Sequence, residues 1–146
     1  MALLVRKVLP HEYARATEVI MTSFEHLAVQ YQTPQGIAYF KQFASADAIA
    51  ERDRCDSATY VALIQNVIIG VLQLSGQHIE LLFVLPELQS RGVGRALVKA
   101  ADAECRLATV NASVNSVMAY MRYGFMPCGA DQVAPTGVRF VSMQRS

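Results

Sequence analysis

The chain has 146 residues, with 13 Lys and Arg against 12 Asp and Glu for a net charge of +1, and 53% of its side chains are apolar. That length suits one domain, residues 1–146, around one core, and the composition excludes a disordered or polyelectrolyte chain. The near-neutral balance argues against nucleic acid or an acidic membrane surface as the main partner, because both require clustered positive charge.

Residues 2–9, ALLVRKVL, have the content of a first strand. Their basic pair follows the apolar start and Pro10 breaks the run, so neither a signal peptide nor an anchor is expected. From His11 the spacing turns helical: Tyr13, Ala16, Ile20, Phe24, Leu27 and Tyr31 recur every three or four residues as one apolar stripe. TPQGIAYFKQFAS and ADAIAERDR predict one or two more helices, the first capped by Thr33 with Pro34 at its first position. Three strand-like runs follow, ATYVALIQ, VIIGVLQL and HIELLFVL. Short turns at Gln65-Asn66 and Ser75-Gly76-Gln77 make them an antiparallel meander. Then come ELQSRGVGRALVKAA running into a helix, a short strand LATVNAS, a short helix SVMAYMRYG, and two terminal strands, FMPCG and VRFVSM. The expected fold is α/β in the α+β sense: a mixed, mostly antiparallel sheet of six to seven strands flanked by about four helices.

Apolar runs such as VIIGVL fall far short of the roughly 18 residues that span a bilayer, and a cytoplasmic location is expected. Cys55, Cys105 and Cys128 are odd in number and lack CxxC pairing, so they read as reduced thiols, with Cys128 a semi-buried structural residue rather than a nucleophile. His11, His26 and His78 are scattered without ligand spacing, and no metal is expected.

The segment ELQSRGVGRALVKAA, residues 87–101, sets Gly92 and Gly94 just ahead of a helix, where unpaired N–H groups attract an anion. A dinucleotide loop fits poorly, since Leu97 stands where the third glycine belongs and hairpin-linked strands precede it. A P-loop is excluded because no Gly-Lys-Ser/Thr follows. A plain glycine turn capping a helix remains open on the segment alone.

Context narrows this. HIELLFVLPELQSRGVGRALVKAA resembles the acetyl-coenzyme A signature of the GNAT family of N-acetyltransferases, a strand followed by Q/R-x-x-G-x-G/A and a helix, with Gln89, Gly92 and Gly94 on the spaced positions. NASVNSVMAYMRYGF resembles the family's later Y-x-x-x-G-F element, which places Tyr120, Gly124 and Phe125 on matched positions. The resemblance covers roughly residues 3–143, its specific motifs residues 78–125. It implies a single GNAT-like domain that takes acetyl-CoA as cofactor and moves the acetyl group to a primary amine of a small molecule or peptide by direct attack in a ternary complex. A second copy of the chain, as a homodimer, is compatible with it. A non-catalytic acyl-CoA sensor on the same fold is the alternative.

The resemblance also assigns residues. Amides from Arg91 through Gly92, Val93, Gly94 and Arg95 to Ala96 would face the pyrophosphate, with charge added by Arg91, Arg95 or Lys99. Leu82, Phe83 and Val84 would pair with the pantetheine arm, and an N–H near Val84 would stabilise the oxyanion. Tyr120 would protonate the departing thiolate. Strand alternation puts His78, Glu80, Leu82 and Val84 on one face, so His78, Glu80 or ordered water alone would serve as base. Where many members have Asn and then Ala three positions on, this chain has Ser113 and Ser116, with Asn111 and Asn115 nearby, so Asn111 and Ser113 both remain candidates to hold the pantetheine. Glu25, His26, Tyr31 and Tyr39 are the polar and aromatic groups expected near the acceptor.

Overall fold

A computed structural model describes residues 2–145; Met1 and Ser146, the ends of the expected domain, lie outside the described residues. The strands are β1 (Leu3–Lys7), β2 (Ser57–Ile64), β3 (Val67–Ser75), β4 (His78–Val84), β5 (Thr109–Ala112), β6 (Met126–Pro127), β7 (Gln132–Val133) and β8 (Arg139–Gln144). The helices are α1 (Tyr13–Leu27), α2 (Pro34–Phe43), α3 (Ala46–Cys55), α4 (Val93–Glu104) and α5 (Val117–Arg122). Among the described residues the sheet thus has eight strands, two of them only two residues long, and five α-helices, slightly more than the sequence predicts.

The strand order is β1-β2-β3-β4-β5-β8-β6, with β7 also paired to β8. β1 pairs antiparallel with β2, and β2, β3 and β4 form the predicted meander. Its first turn holds Gln65 at φ 52° and Asn66 at φ 64°, the left-handed pair that matches the twist of a two-residue hairpin. The helix starts are equally local: Thr33 Oγ1 accepts from Gly36 N at 2.9 Å, and Ser45 Oγ from Ala48 N at 3.2 Å.

Helices cover both faces. Ala16, Val19, Ile20 and Ile49 of α1 and α3 bury against Val61, Val71 and Leu81. On the other face Val93, Leu97, Val98 and Ala101 of α4 bury against Ala62, Leu72 and Ile79, and Phe125 joins them. The α1 stripe is shorter than its periodicity suggests. Ala16, Ile20 and Phe24 are buried, but α1 ends at Leu27 and Tyr31 sits exposed in a separate 3-10 turn.

A buried polar cluster ties α1 and α3 to the sheet. Gln73 on β3 is fully buried, accepts from Arg52 Nε at 2.9 Å and donates to Asp53 Oδ1 at 2.9 Å and Ile49 O at 3.1 Å. Asp53 also accepts from the Tyr13 hydroxyl at 2.7 Å, and burial together with that bond raises the phenol to about 12. Cys128 is exposed, against the semi-buried expectation; it directly follows β6, the short strand at the sheet edge. Among the described residues no helix is long and apolar enough to cross a membrane.

Candidate active site

The strands β4 and β5 run parallel but pair only at His78↔Thr109 and Ile79↔Val110, after which they separate. The gap opens a cleft of about 890 Å³, lined by β4, the start of α4, α5, and residues of α1, α2 and β8. Leu85 N donates to Ile69 O, and partners alternate along an antiparallel pair. The N–H and C=O groups of Leu82 and Val84 therefore face the gap. Gln89 Nε2 donates to Val84 O at 2.7 Å, which leaves the Val84 N–H directed at the cleft. Gln89 thus braces the strand end through its side chain.

A β-bulge changes the expected face of β4. The register with β3 shifts between Gln73 and Leu74, opposite Leu81 and Ile79, so Glu80 is the extra residue. Ile79, Leu82 and Val84 consequently join the α4 core, and Leu81 and Phe83 join the α1 core. The expectation that His78, Glu80, Leu82 and Val84 share one face is corrected by this one residue. His78 and Glu80 still meet: Nε2 and Oε1 are 3.8 Å apart, while His78 Nδ1 lies 2.8 Å from Thr109 Oγ1. Behind Glu80, the Arg52 guanidinium on α3 lies within electrostatic reach, stacked 3.8 Å from the Phe43 ring.

At the other end, Ser90 at φ 64° and Gly92 at φ 82° flank Arg91 and turn the chain sharply into α4. Alternating left-handed residues of this kind form a concavity of amides, and the first helical N–H groups have no intrahelical acceptor. The two glycines do different work. A Cβ on Gly92 would meet nothing, so Gly92 is there for its backbone angle and for the open space. A Cβ on Gly94 would lie 2.3 Å from the Tyr123 hydroxyl, so Gly94 makes room for a tyrosine of α5's end rather than for a ligand. The run of six free amides is also shorter than expected, because Ala96 N donates to Gly92 O at 3.0 Å inside the helix. Neither Arg91 nor Ala96 lines the cleft, whereas Val93 and Arg95 do.

Tyr120 on α5 lines the cleft although only 6% exposed, wedged edge-on between Tyr123 and Phe125 at ring distances of 6.0 and 5.8 Å. Burial first, and then the neighbouring Tyr123, push its pKa upward. Tyr123 is raised by burial too, with Arg95 and Arg122 acting the other way. Asn111, Ser113, Asn115 and Ser116 line the cleft side of β5 and the turn after it, with Ser113 Oγ 3.0 Å from Ser116 Oγ.

The family model for the acetyltransferase (GNAT) domain matches residues 28–146. This chain belongs to the GNAT family. Over 138 residues it is 26% identical to an uncharacterized N-acetyltransferase of Escherichia coli K12, YafP, covering 94% of this chain and 91% of that protein. A shorter match, 35% over 72 residues, joins 47% of the chain to 49% of the E. coli K12 peptidyl-lysine N-acetyltransferase YjaB. The PaiA N-acetyltransferase of Thermoplasma acidophilum, solved in complex with coenzyme A, superposes with a TM-score of 0.79 at 18% identity over 100% of both chains. A GCN5-related N-acetyltransferase structure from Rhodopseudomonas palustris reaches 0.84 at 23% identity over 100% of this chain and 96% of that one. The GNAT cofactor is acetyl-CoA, and the α4 entrance suits it: an open concavity of amides where a Cβ at position 92 would find free space.

Of the residues named from sequence for this GNAT domain, the cleft gathers His78, Glu80, Leu82, Phe83, Val84, Gln89, Gly92, Val93, Gly94, Arg95, Asn111, Ser113 and Tyr120. Tyr39 lines it as well, but Glu25, His26 and Tyr31 do not. Sequence reasoning overlooked Ser90, Arg122 and Tyr123. Arg122 and Tyr123 lie inside the Y-x-x-x-G-F element, and that adjacency was the available signal.

Proposed function

We propose that this GNAT domain moves the acetyl group of acetyl-CoA directly to a primary amine while both are held in the cleft, with no acyl group passing through the protein. The reading is carried by one observation: Glu80 of β4 and Tyr120 of α5 line the same cleft, into which the start of α4 also opens. The match to YjaB, whose name specifies peptidyl lysine, agrees with a primary amine as the acceptor class.

Bound acetyl-CoA supplies a thioester-activated acetyl group. The amides of Val93 to Arg95 and the Arg95 guanidinium hold its phosphates. Leu82 and Val84 offer gap-facing backbone groups to the pantetheine arm in the manner of an added strand, and Asn111, Ser113 or Asn115 orient it from β5. The Val84 N–H donates to the acetyl oxygen as negative charge gathers there. Glu80, with His78 beside it, takes a proton from the amine, and the Tyr120 hydroxyl gives one to the departing sulfur. Burial keeps Tyr120 protonated well above neutrality, as a proton donor requires.

Tyr120→Phe is expected to lower kcat by ~10²-fold or more, with acetyl-CoA binding retained. Binding is read by thermal shift, where a ligand at 100 times its Kd adds ~2.7 kcal/mol of stability. Unchanged kcat in this variant would remove Tyr120 from the chemistry. Stabilisation by acetyl-CoA with no thiol release for any amine would make the domain a sensor, and no stabilisation at all would reject the reading.

A further inference from the structure

The acceptor end of the cleft has a chemistry of its own. Helix α2 turns Tyr39, Phe40 and Phe43 toward it, facing Phe83 of β4 and Phe140 of β8. These rings are not all sealed in the core: Tyr39 is 42% exposed and the other four are half-buried, so each keeps some surface outside the core. They are also fixed. Phe40 lies 5.4 Å from Phe83 and stacks at 4.1 Å on Phe24 beneath it, while Tyr39 stacks on Phe43 at 5.9 Å. Arg52 holds Phe43 from behind, 3.8 Å from its ring, and donates from Nη2 to Phe43 O at 2.8 Å. A wall of mutually packed rings binds a flat apolar group without first having to be ordered.

Charge limits the acceptor in a second, independent way. Among the described residues that line the cleft, Glu80 is the only acidic side chain. Arg139, also on the lining, is taken by Asp131 at 2.6 Å and so offers little to an acceptor carboxylate. A polyamine or aminoglycoside would bring two or more ammonium groups to a site with one lining carboxylate, leaving the rest without an anionic partner. A single ammonium has both a partner in Glu80 and a reason to lose its proton, because the apolar wall disfavours its charged form.

We infer that the acceptor is a monoamine with an aromatic body on a short linker, its ring against Tyr39, Phe40 and Phe43 and its nitrogen at Glu80. The inference rests on the transferase reading above and deepens it. Initial rates of thiol release at saturating acetyl-CoA test it, with 2-phenylethylamine, ethylamine, spermidine and an N-terminally blocked lysine peptide as probes. Burial of the phenyl group is expected to raise kcat/KM for phenylethylamine roughly 10- to 100-fold over ethylamine, with spermidine and the peptide below phenylethylamine. Tyr39→Ala, at a partly exposed position where folding is not at stake, should reduce that preference about fivefold or more. Spermidine or the peptide outrunning phenylethylamine overturns the inference, as does a preference that Tyr39→Ala leaves untouched. Acetyl-CoA binding measured by calorimetry on the same sample separates the two levels: if it binds and only the non-aromatic probes are consumed, the aromatic-amine assignment falls alone, and if it binds with no amine consumed, or does not bind, the transferase reading falls with it.

Discussion

Replacing Gly94 by Ala sets two effects of known sign against each other. Alanine is the better helix former, and near the start of α4 that favours the variant by up to ~1 kcal/mol. Against this, the new Cβ would lie 2.3 Å from the Tyr123 hydroxyl, far inside contact distance, and overpacking of this kind typically costs ~1–3 kcal/mol. The Tyr123 ring has little freedom to yield, because Tyr120 stands edge-on at 6.0 Å. The single variant should therefore lose about 1 kcal/mol net. In a Tyr123→Phe background the hydroxyl is gone, and the next atom, the ring Cζ, lies 3.3 Å from the new Cβ, a contact that a shift of a few tenths of an ångström relieves. There Gly94→Ala should be neutral or stabilising, giving a coupling of ~1–2 kcal/mol between the two sites. Urea unfolding of the parent, both single variants and the double variant measures it. Additivity within ~0.5 kcal/mol would refute the assignment of Gly94 to protein packing and return it to ligand approach.

Two further outcomes follow from groups outside the cleft. Thr59 on β2 is 2% exposed, and among the described residues nothing lies within hydrogen-bonding reach of its Oγ1. Thr59→Val removes that orphan with little change of shape and should raise stability by ~1 kcal/mol and Tm by about 2–4 °C; a lower Tm would contradict the orphan assignment. Glu12, just before α1, accepts from Arg6 at 2.9 Å on both carboxylate oxygens and from Leu9 N at 2.8 Å. The Arg6 bond leads in holding its carboxyl at about 2, below the ordinary 4.5. A depressed folded-state pKa means that this contribution is complete above about pH 5 and lost as pH falls toward 2. Glu12→Gln should thus flatten the acid limb of a plot of urea midpoint against pH, and an unchanged limb would count against the pairing.

The parts of this protein that could be read without coordinates share a short range. The Thr33 cap acts over three residues, the Gln65-Asn66 turn over two, and the spacing of Gly92, Gly94 and Tyr120 sits within two motifs. Backbone angle, capping and hydrogen-bond direction are set by neighbours in the chain, so the residue types suffice.

What escaped reading depends on contacts between distant segments. Nothing in HIELLFVL announces that Glu80 will be the bulged residue, because the register shift is defined only against β3. Gly94 looks like a second phosphate glycine until Tyr123, 29 positions further along, is seen to fill its missing side chain. Likewise Arg52 is an ordinary helix cation in the sequence, and only packing brings it against Phe43, Gln73 and the electrostatic neighbourhood of Glu80. The cofactor entrance is written in local backbone chemistry and was legible in the chain. The acceptor wall is assembled from α2, β4 and β8, whose helical and strand periodicities look the same whether a ring faces core or cleft, and so only their docking distinguishes the two.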